Sequence, residues 1–182
     1  MKSLRNLTLI IFPIFLLAPI KGTGQNIPPK DTVNIRLINA AKEIMTSARY
    51  CALITLDDEG RPRVRVMDPF IPENDLTVWF GTNPKSRKVG QIANDPRGTL
   101  YYLDKDASGY VMIHGTAEIV NDPKEKEAHW KDEWKAFYPD YPEGYLLVKV
   151  TPEWMEVVSY TRNITGDSIT WEPPTVYFHS NE

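Results

Sequence analysis

"YCALITLDDEGRPRVRVM", residues 50–67, is the stretch on which the fold turns. Ahead of it, Val33, Leu37, Ile38, Ala41, Ile44, Met45 and Ala48 recur at three- and four-residue spacing. That spacing predicts an amphipathic helix over 32–48, which Asp31 or Thr32 can cap. From residue 50 the period changes to two. "YCALITL" (50–56) and "RPRVRVM" (61–67) flank the turn "DDEG" (57–60), in which Gly60 supplies a permissive backbone, so the segment reads as a β-hairpin. On the second strand, Arg61, Arg63 and Arg65 share one face and Val64 and Val66 the other. The simplest expectation is that the arginines face solvent over an apolar core.

Working outward from the hairpin, "LTVWFG" (76–81), "GTLYYLD" (98–104) and "YVMIHGTAEIV" (110–120) give three more strands, with "KDASG" (105–109) as a tight link. "YLLVKVTPEWMEVVSY" (145–160) gives a sixth, bent or interrupted at Pro152. Two helical inserts break the series, one from Pro84 to Asn94 and one over 123–138. In the second, Trp130, Trp134 and Phe137 stand at i, i+4 and i+7, which is core-packing spacing. The result is a mainly β chain with helical inserts, an antiparallel barrel or sandwich rather than a doubly wound sheet. The tail over 161–182 has two adjacent prolines and no clear period. Its Trp171, Val176, Tyr177 and Phe178 would gain from burial on the domain or on a partner subunit.

The N-terminus has a different character. Residues 1–24 place Lys2 and Arg5 ahead of an apolar run from Leu7 to Ile20, then Gly22 and Gly24 before a possible cut at Gln25. That is the layout of a secretory signal peptide, and the run is shorter than the roughly 20 residues a spanning helix needs. The expectation is export to a periplasmic or extracellular space, with 25–31 as a linker and 32–160 as the domain. Loss of Lys2, Arg5 and Lys21 takes three positive charges from a chain of formal net charge −3, giving −6. So acidic a balance argues against a nucleic-acid binder, for which a basic face is the first requirement. Cys51 is the single cysteine, so no intrachain disulfide forms, and in an apolar strand it reads as a small buried hydrophobe. His114, His129 and His179 show no metal-ligand spacing.

The chemistry concentrates in "FGTNPKSRKVGQI", residues 80–92. A strand ends at Gly81, a Thr-Asn-Pro turn follows, and Arg87 and Lys88 enter the first turn of a helix. Cations are badly placed at the positive end of a helix macrodipole unless an anion is also there. Thr82, Ser86, Arg87 and Lys88, with Arg65 from the hairpin, have the hydroxyl, guanidinium and ammonium groups that hold a phosphate dianion. On the residues alone, a phosphate site and a solvated helix start both stand.

The order "GRPRVRVM", "VWFGTNPKSRKVGQIANDPRGTLYY" and "YVMIHGTAEIV" resembles the pyridoxamine-phosphate-oxidase-like flavin-binding split barrels, especially their general stress protein members, over about residues 33–160. The resemblance implies a six-stranded antiparallel Greek-key split β-barrel, a homodimer with flavin between subunits, and FMN as cofactor. It also implies that Arg65, Arg87 and Lys88 hold the FMN phosphate with support from Ser86. By the same resemblance Val66 and Met67 line the ring with backbone groups, and Gly81 and Thr82 contact the ring or ribityl chain. Some family groups are missing. Tyr110 replaces a flavin-binding Gln, Val158 replaces a Trp, Phe70 replaces a lysine, and the C-terminal Arg-x-His motif is absent. The resemblance therefore implies a flavin-dependent oxidoreductase that is not a B6 oxidase. Its alternatives are a flavin carrier or sensor without turnover, or a barrel that binds another ligand.

Overall fold

The computed structural model describes residues 30–178, so the signal-like segment 1–24, most of the linker and His179 lie outside the described residues. The first helix, α1 (Lys30–Ala48), turns Leu37, Ala40, Ala41, Ile44 and Met45 into the core, as its three- and four-residue spacing dictates. Beyond it lie β1 (Cys51–Leu56), β2 (Pro62–Met67), β3 (Val78–Thr82), α2 (Arg87–Asn94), β4 (Arg97–Leu103), β5 (Gly109–Val120), α3 (Pro123–Ala128), β6 (Leu146–Ser159) and β7 (Thr175–Tyr177).

All strand pairs are antiparallel, in the order β2-β1-β4-β5-β6-β3, and β7 is a further partner of β6. The sheet wraps around a core that includes Leu53, Val78, Phe80, Leu100, Tyr102, Val111, Ile113, Val150, Met155 and Val157. Each fully buried side chain of this size is worth about 1.5–3 kcal/mol, and α1 closes one end of the cluster. The barrel is split. β2 and β3 stand at the two ends of the strand order, and among the described residues the segment just after β2 bridges to β3 at Pro69 and Phe80, where Phe70 N–H donates to the Trp79 carbonyl at 2.9 Å.

The observed sheet has seven strands rather than six. Thr175–Tyr177 was unreadable as a strand because three residues between a proline pair and the chain end show no period, yet they pair with Trp154–Glu156. Val176 is buried and Phe178 packs on the core, whereas Trp171 and Tyr177 stay exposed. Pro152 does not interrupt β6. The register shifts opposite it, between His114 and Gly115, and leaves Glu153 without a partner on β5. This bulge absorbs the missing N–H of Pro152. Gly115 is needed there because a Cβ would collide with the Thr151 carbonyl oxygen.

The second helical insert also departs from its expected form. Asp122 caps α3 by accepting from the Lys124 and Glu125 N–H groups, and Pro123 opens it, but the helix stops at Ala128 and a 3-10 turn follows over Asp132–Ala136. Between them Lys131 is fixed elsewhere, with Nζ donating to the Pro69 carbonyl at 2.9 Å and pairing with Asp68 at 3.1 Å. This anchoring outweighs the local helical preference. Trp134 and Trp130 join a second aromatic core with Trp79, Tyr145, Leu147 and Phe70, whereas Phe137 faces solvent.

Candidate functional site

The hairpin faces are the reverse of the simplest expectation. β1 alternates cleanly, with Cys51, Leu53 and Thr55 turned inward, and its register pairs these with Met67, Arg65 and Arg63. Arg65 therefore enters the barrel mouth, while Val64 and Val66 stand outside at 66% and 73% exposure. Polar residues inside the mouth accommodate the guanidinium. Arg65 donates to Thr55 Oγ1 at 2.7 Å and to Gln91 Oε1 at 2.8 Å, and Thr55 Oγ1 donates to the same Gln91 oxygen at 2.7 Å.

A second cation stands beside it. Lys88, in the first turn of α2, donates from Nζ to Ser86 Oγ at 2.8 Å and to Thr82 Oγ1 at 3.0 Å. Ser86 occupies the N-cap position but makes no side-chain cap, and the first turn of α2 carries no acid. The helix end thus keeps its positive character. Burial lowers the pKa of Arg65, and Arg87 and then Arg63 lower it further. Burial and then Arg65 lower that of Lys88. Among the described residues Arg65, Arg87 and Lys88 form no ion pair with a carboxylate, whereas neighbouring Arg63 pairs with Asp57 at 3.0 Å. Arg65 and Lys88, two hydroxyls and a helix N-terminus match a phosphate dianion in charge and in donors, and Arg87, near enough to Arg65 to lower its pKa, also lines a cleft with Asp57, Asp58 and Glu59.

Thus the structure brings together Arg65, Thr82, Ser86, Arg87 and Lys88. Thr55 and Gln91 belong with them and were missed. The available signal was a polar residue at an inward position of each element, Thr55 in "CALITL" and Gln91 beside Ile92.

Of the remaining expected residues, Val66 and Met67 directly follow Arg65 on β2 and Gly81 directly precedes Thr82 on β3. Met67 is buried and Val66 is exposed on β2, an edge strand. Gly81 faces the second aromatic core, where a Cβ would lie 2.5 Å from Trp134 Cζ3, so only its backbone remains available to a ligand. Tyr110 lies on β5, three strand spacings or about 14 Å from β2, on the outward face where its ring stacks on Tyr101 at 5.4 Å. Within one chain it does not join the cationic cluster.

Several groups resolve as structural. Cys51 is buried, and burial pushes its thiol up to about 12. His114 sits outward near Trp154, with Nδ1 3.2 Å from Thr99 Oγ1. Phe70 packs edge-on against His129 and Trp134. Among the described residues no group of His, Cys, Asp and Glu is placed to hold a metal, and no helix is long and apolar enough to cross a membrane.

Comparison with known proteins bears on the family and the fold. The family described as "Pyridoxamine 5'-phosphate oxidase like" matches residues 38–163. Dihydrophenazinedicarboxylate synthase of Pseudomonas chlororaphis is 32% identical over 110 residues, which cover 57% of this chain and 48% of that protein. The chain thus spans about half the length of this curated relative. Among solved structures, a protein of Clostridium acetobutylicum related to general stress protein 26, of the pyridoxinephosphate oxidase family, superimposes with a TM-score of 0.65 at 22% identity. It covers 78% of this chain and 94% of its own. General stress protein 26 of Bacillus anthracis gives 0.62 at 21% identity, covering 79% and 99%. At these identities the two structures speak for the fold, a mainly antiparallel split barrel with a few helices.

Proposed function

The chain belongs to the pyridoxamine 5'-phosphate oxidase-like family, and from that premise we propose that it binds FMN and acts as a flavin-dependent oxidoreductase on a small substrate other than pyridoxamine phosphate. The observation that carries the reading is the neighbouring pair Arg65 and Lys88, neither of which forms an ion pair with a carboxylate among the described residues, with Lys88 on Ser86 and Thr82 at the start of α2 and Arg87 close to Arg65. Bound flavin supplies electron or hydride transfer, and the protein supplies binding, orientation and electrostatics. In this division of labour Arg65, Arg87 and Lys88 neutralise the phosphate, and Thr55 and Gln91 orient the Arg65 guanidinium. Backbone groups of Val66 and Met67 on edge strand β2, and of Gly81 and Thr82, approach the ring and ribityl chain.

Phe70, where the resemblance puts a lysine, is taken up in aromatic packing, which speaks against a B6 phosphate held there. The working form is a homodimer. The exposed face formed by Val64, Val66, Tyr101 and Leu103 is the contact surface, and Tyr110 beside it reaches flavin from a second copy. We propose further, from the signal-like layout of 1–24, that the chain is exported and takes up FMN afterwards.

The test is a titration of the purified protein with FMN. Binding is expected to quench flavin fluorescence and raise the melting temperature, and Arg87→Ala with Lys88→Ala should abolish both effects without unfolding the barrel. No effect of FMN on the wild type would overturn the reading, as would unchanged affinity in the double variant. FMN binding without reduction by NADH or NADPH, and without oxidation of any electron donor, would reduce it to a flavin carrier.

A further inference from the structure

The turn of the β1–β2 hairpin and the side of α2 enclose a cleft of about 310 Å³, whose lining includes Asp58, Arg63, Arg87, Gly90, Gln91 and Asn94. It adjoins the phosphate cluster, because Gln91, whose side chain holds Arg65, and Arg87 belong to both. We propose that this cleft receives the adenosine monophosphate half of a flavin dinucleotide, so that the chain takes FAD at least as readily as FMN. The inference rests on the flavin reading above for the first phosphate, at Arg65 and Lys88, and goes beyond it in what is joined to that phosphate.

Three observations converge. First, Arg87, Gly90, Gln91 and Asn94 stand at i, i+3, i+4 and i+7 of α2 and share the side turned to the hairpin. Glycine is among the poorest residues for a helix interior. Neither the backbone, which is helical, nor packing calls for it here, since nothing lies within 4 Å of an ideal Cβ on Gly90. Its effect is to leave the middle of the cleft bare, where a flat group can lie against the helix.

Second, the end of the cleft beside the cluster is cationic. Arg87 has no carboxylate partner among the described residues, and Arg63 is held by Nε against Asp57 Oδ2 at 3.0 Å, which leaves its Nη groups to a ligand. Both guanidiniums act on Arg65 through their charge, so they stand where a phosphate linked to the one at Arg65 would lie. Third, the other end suits a nucleoside. Asp58 Oδ1 accepts from Asn94 Nδ2 at 3.0 Å and Glu59 lines the same cleft, so carboxylate oxygens are present for ribose hydroxyls or an adenine amino group. Arg87 and Asn94 are about 10 Å apart along the helix axis, which gives a ribose and a base room to lie in line. The hairpin wall is braced in advance, because Asp57 Oδ1 accepts from the Glu59 and Arg61 N–H groups at 3.1 and 2.9 Å.

The test is a parallel calorimetric titration of the full chain with FMN and with FAD, with melting temperatures recorded for each. FAD should bind at least as tightly as FMN. Gly90→Leu puts a side chain into the cleft and should weaken FAD about ten-fold while leaving FMN binding unchanged. The variant should melt no lower than wild type, because leucine is the better helix former. Arg63→Gln should lower the ratio of FAD to FMN affinity about five-fold through loss of a charged donor to the second phosphate. FMN binding with weaker FAD binding would overturn this inference and leave the flavin reading standing. An affinity ratio unchanged in both variants would also overturn it, since the adenosine half would then lie elsewhere. Binding of neither flavin would overturn both.

Discussion

A lysine whose ammonium leaves water for two hydroxyls, with an arginine for a neighbour, is less favourably charged than a lysine in solvent. Lys88 is in that position, and its pKa lies below the ordinary 10.5 through burial first and Arg65 second. Below the folded pKa it is charged in both states and the ligand-free fold bears the full penalty. As pH rises through the folded value toward the unfolded one, the folded protein releases the proton first, and the penalty is relieved. Lys88 therefore makes the ligand-free protein gain stability in that alkaline window. A bound phosphate dianion reverses the preference and holds the proton on Lys88, so FMN affinity should fall as pH rises through the lowered pKa. Lys88→Arg should remove that dependence, because a guanidinium stays charged, while Lys88→Ala should bind weakly at every pH. Fluorescence titration of FMN across the alkaline range measures all three, and a Lys88→Arg profile identical to wild type would assign the titration to another group. At this scale the sequence was most legible: two cations opening a helix after a Thr-Asn-Pro turn are an electrostatic anomaly visible without coordinates. Thr55 and Gln91 escaped because each is one polar residue in an otherwise apolar pattern.

Elements were legible where their period was long and misread where a tertiary contact overrode it. α1 and β1 to β6 follow from spacing alone, but the 123–138 segment carries helix-forming residues on both sides of a break that Lys131 sets through Asp68 and the Pro69 carbonyl. What that break achieves is seen at Trp134, whose ring fills the space a side chain at Gly81 would occupy, 2.5 Å from an ideal Cβ. β3 and the insert are thus fitted to each other through a glycine and a tryptophan. Gly81→Ala should destabilise by about 1–3 kcal/mol, since a well-packed ring must be displaced. Trp134→Ala should remove about 3–5 kcal/mol by opening the aromatic cluster. Combined, the two should be less damaging than their sum, because the truncated ring leaves room for the new methyl group. Urea unfolding of the three variants tests this, and strict additivity would show that the ring and the glycine are not coupled. The same coupling explains why β3 presents only backbone at Gly81.

The whole molecule turns on which face of β2 looks inward. Alternation alone states that Arg63 and Arg65 oppose Val64 and Val66, but not which pair meets the interior, because a barrel mouth with Thr55 and Gln91 can take a guanidinium as well as a valine. Once the arginine is inside, two valines must stand outside, at 66% and 73% exposure, beside Leu103 and Tyr101 on the same side of the sheet. An apolar strip on an edge strand is an aggregation hazard unless it is covered, and a second copy of the chain covers it in the proposed dimer. Such an interface needs about 800 Å² from each partner. Val64→Glu with Val66→Glu should therefore convert the dimer to a monomer, read by light scattering after gel filtration. Both sites point to solvent in the single chain, so the fold should survive with little change in far-ultraviolet circular dichroism. FMN affinity should fall as dimerisation is lost even though Arg65, Arg87 and Lys88 are untouched, since in the proposed dimer Tyr110 reaches flavin across the interface. A wild-type monomer that binds FMN tightly would sever the link between assembly and cofactor. A glutamate variant that stays dimeric would move the interface to another face.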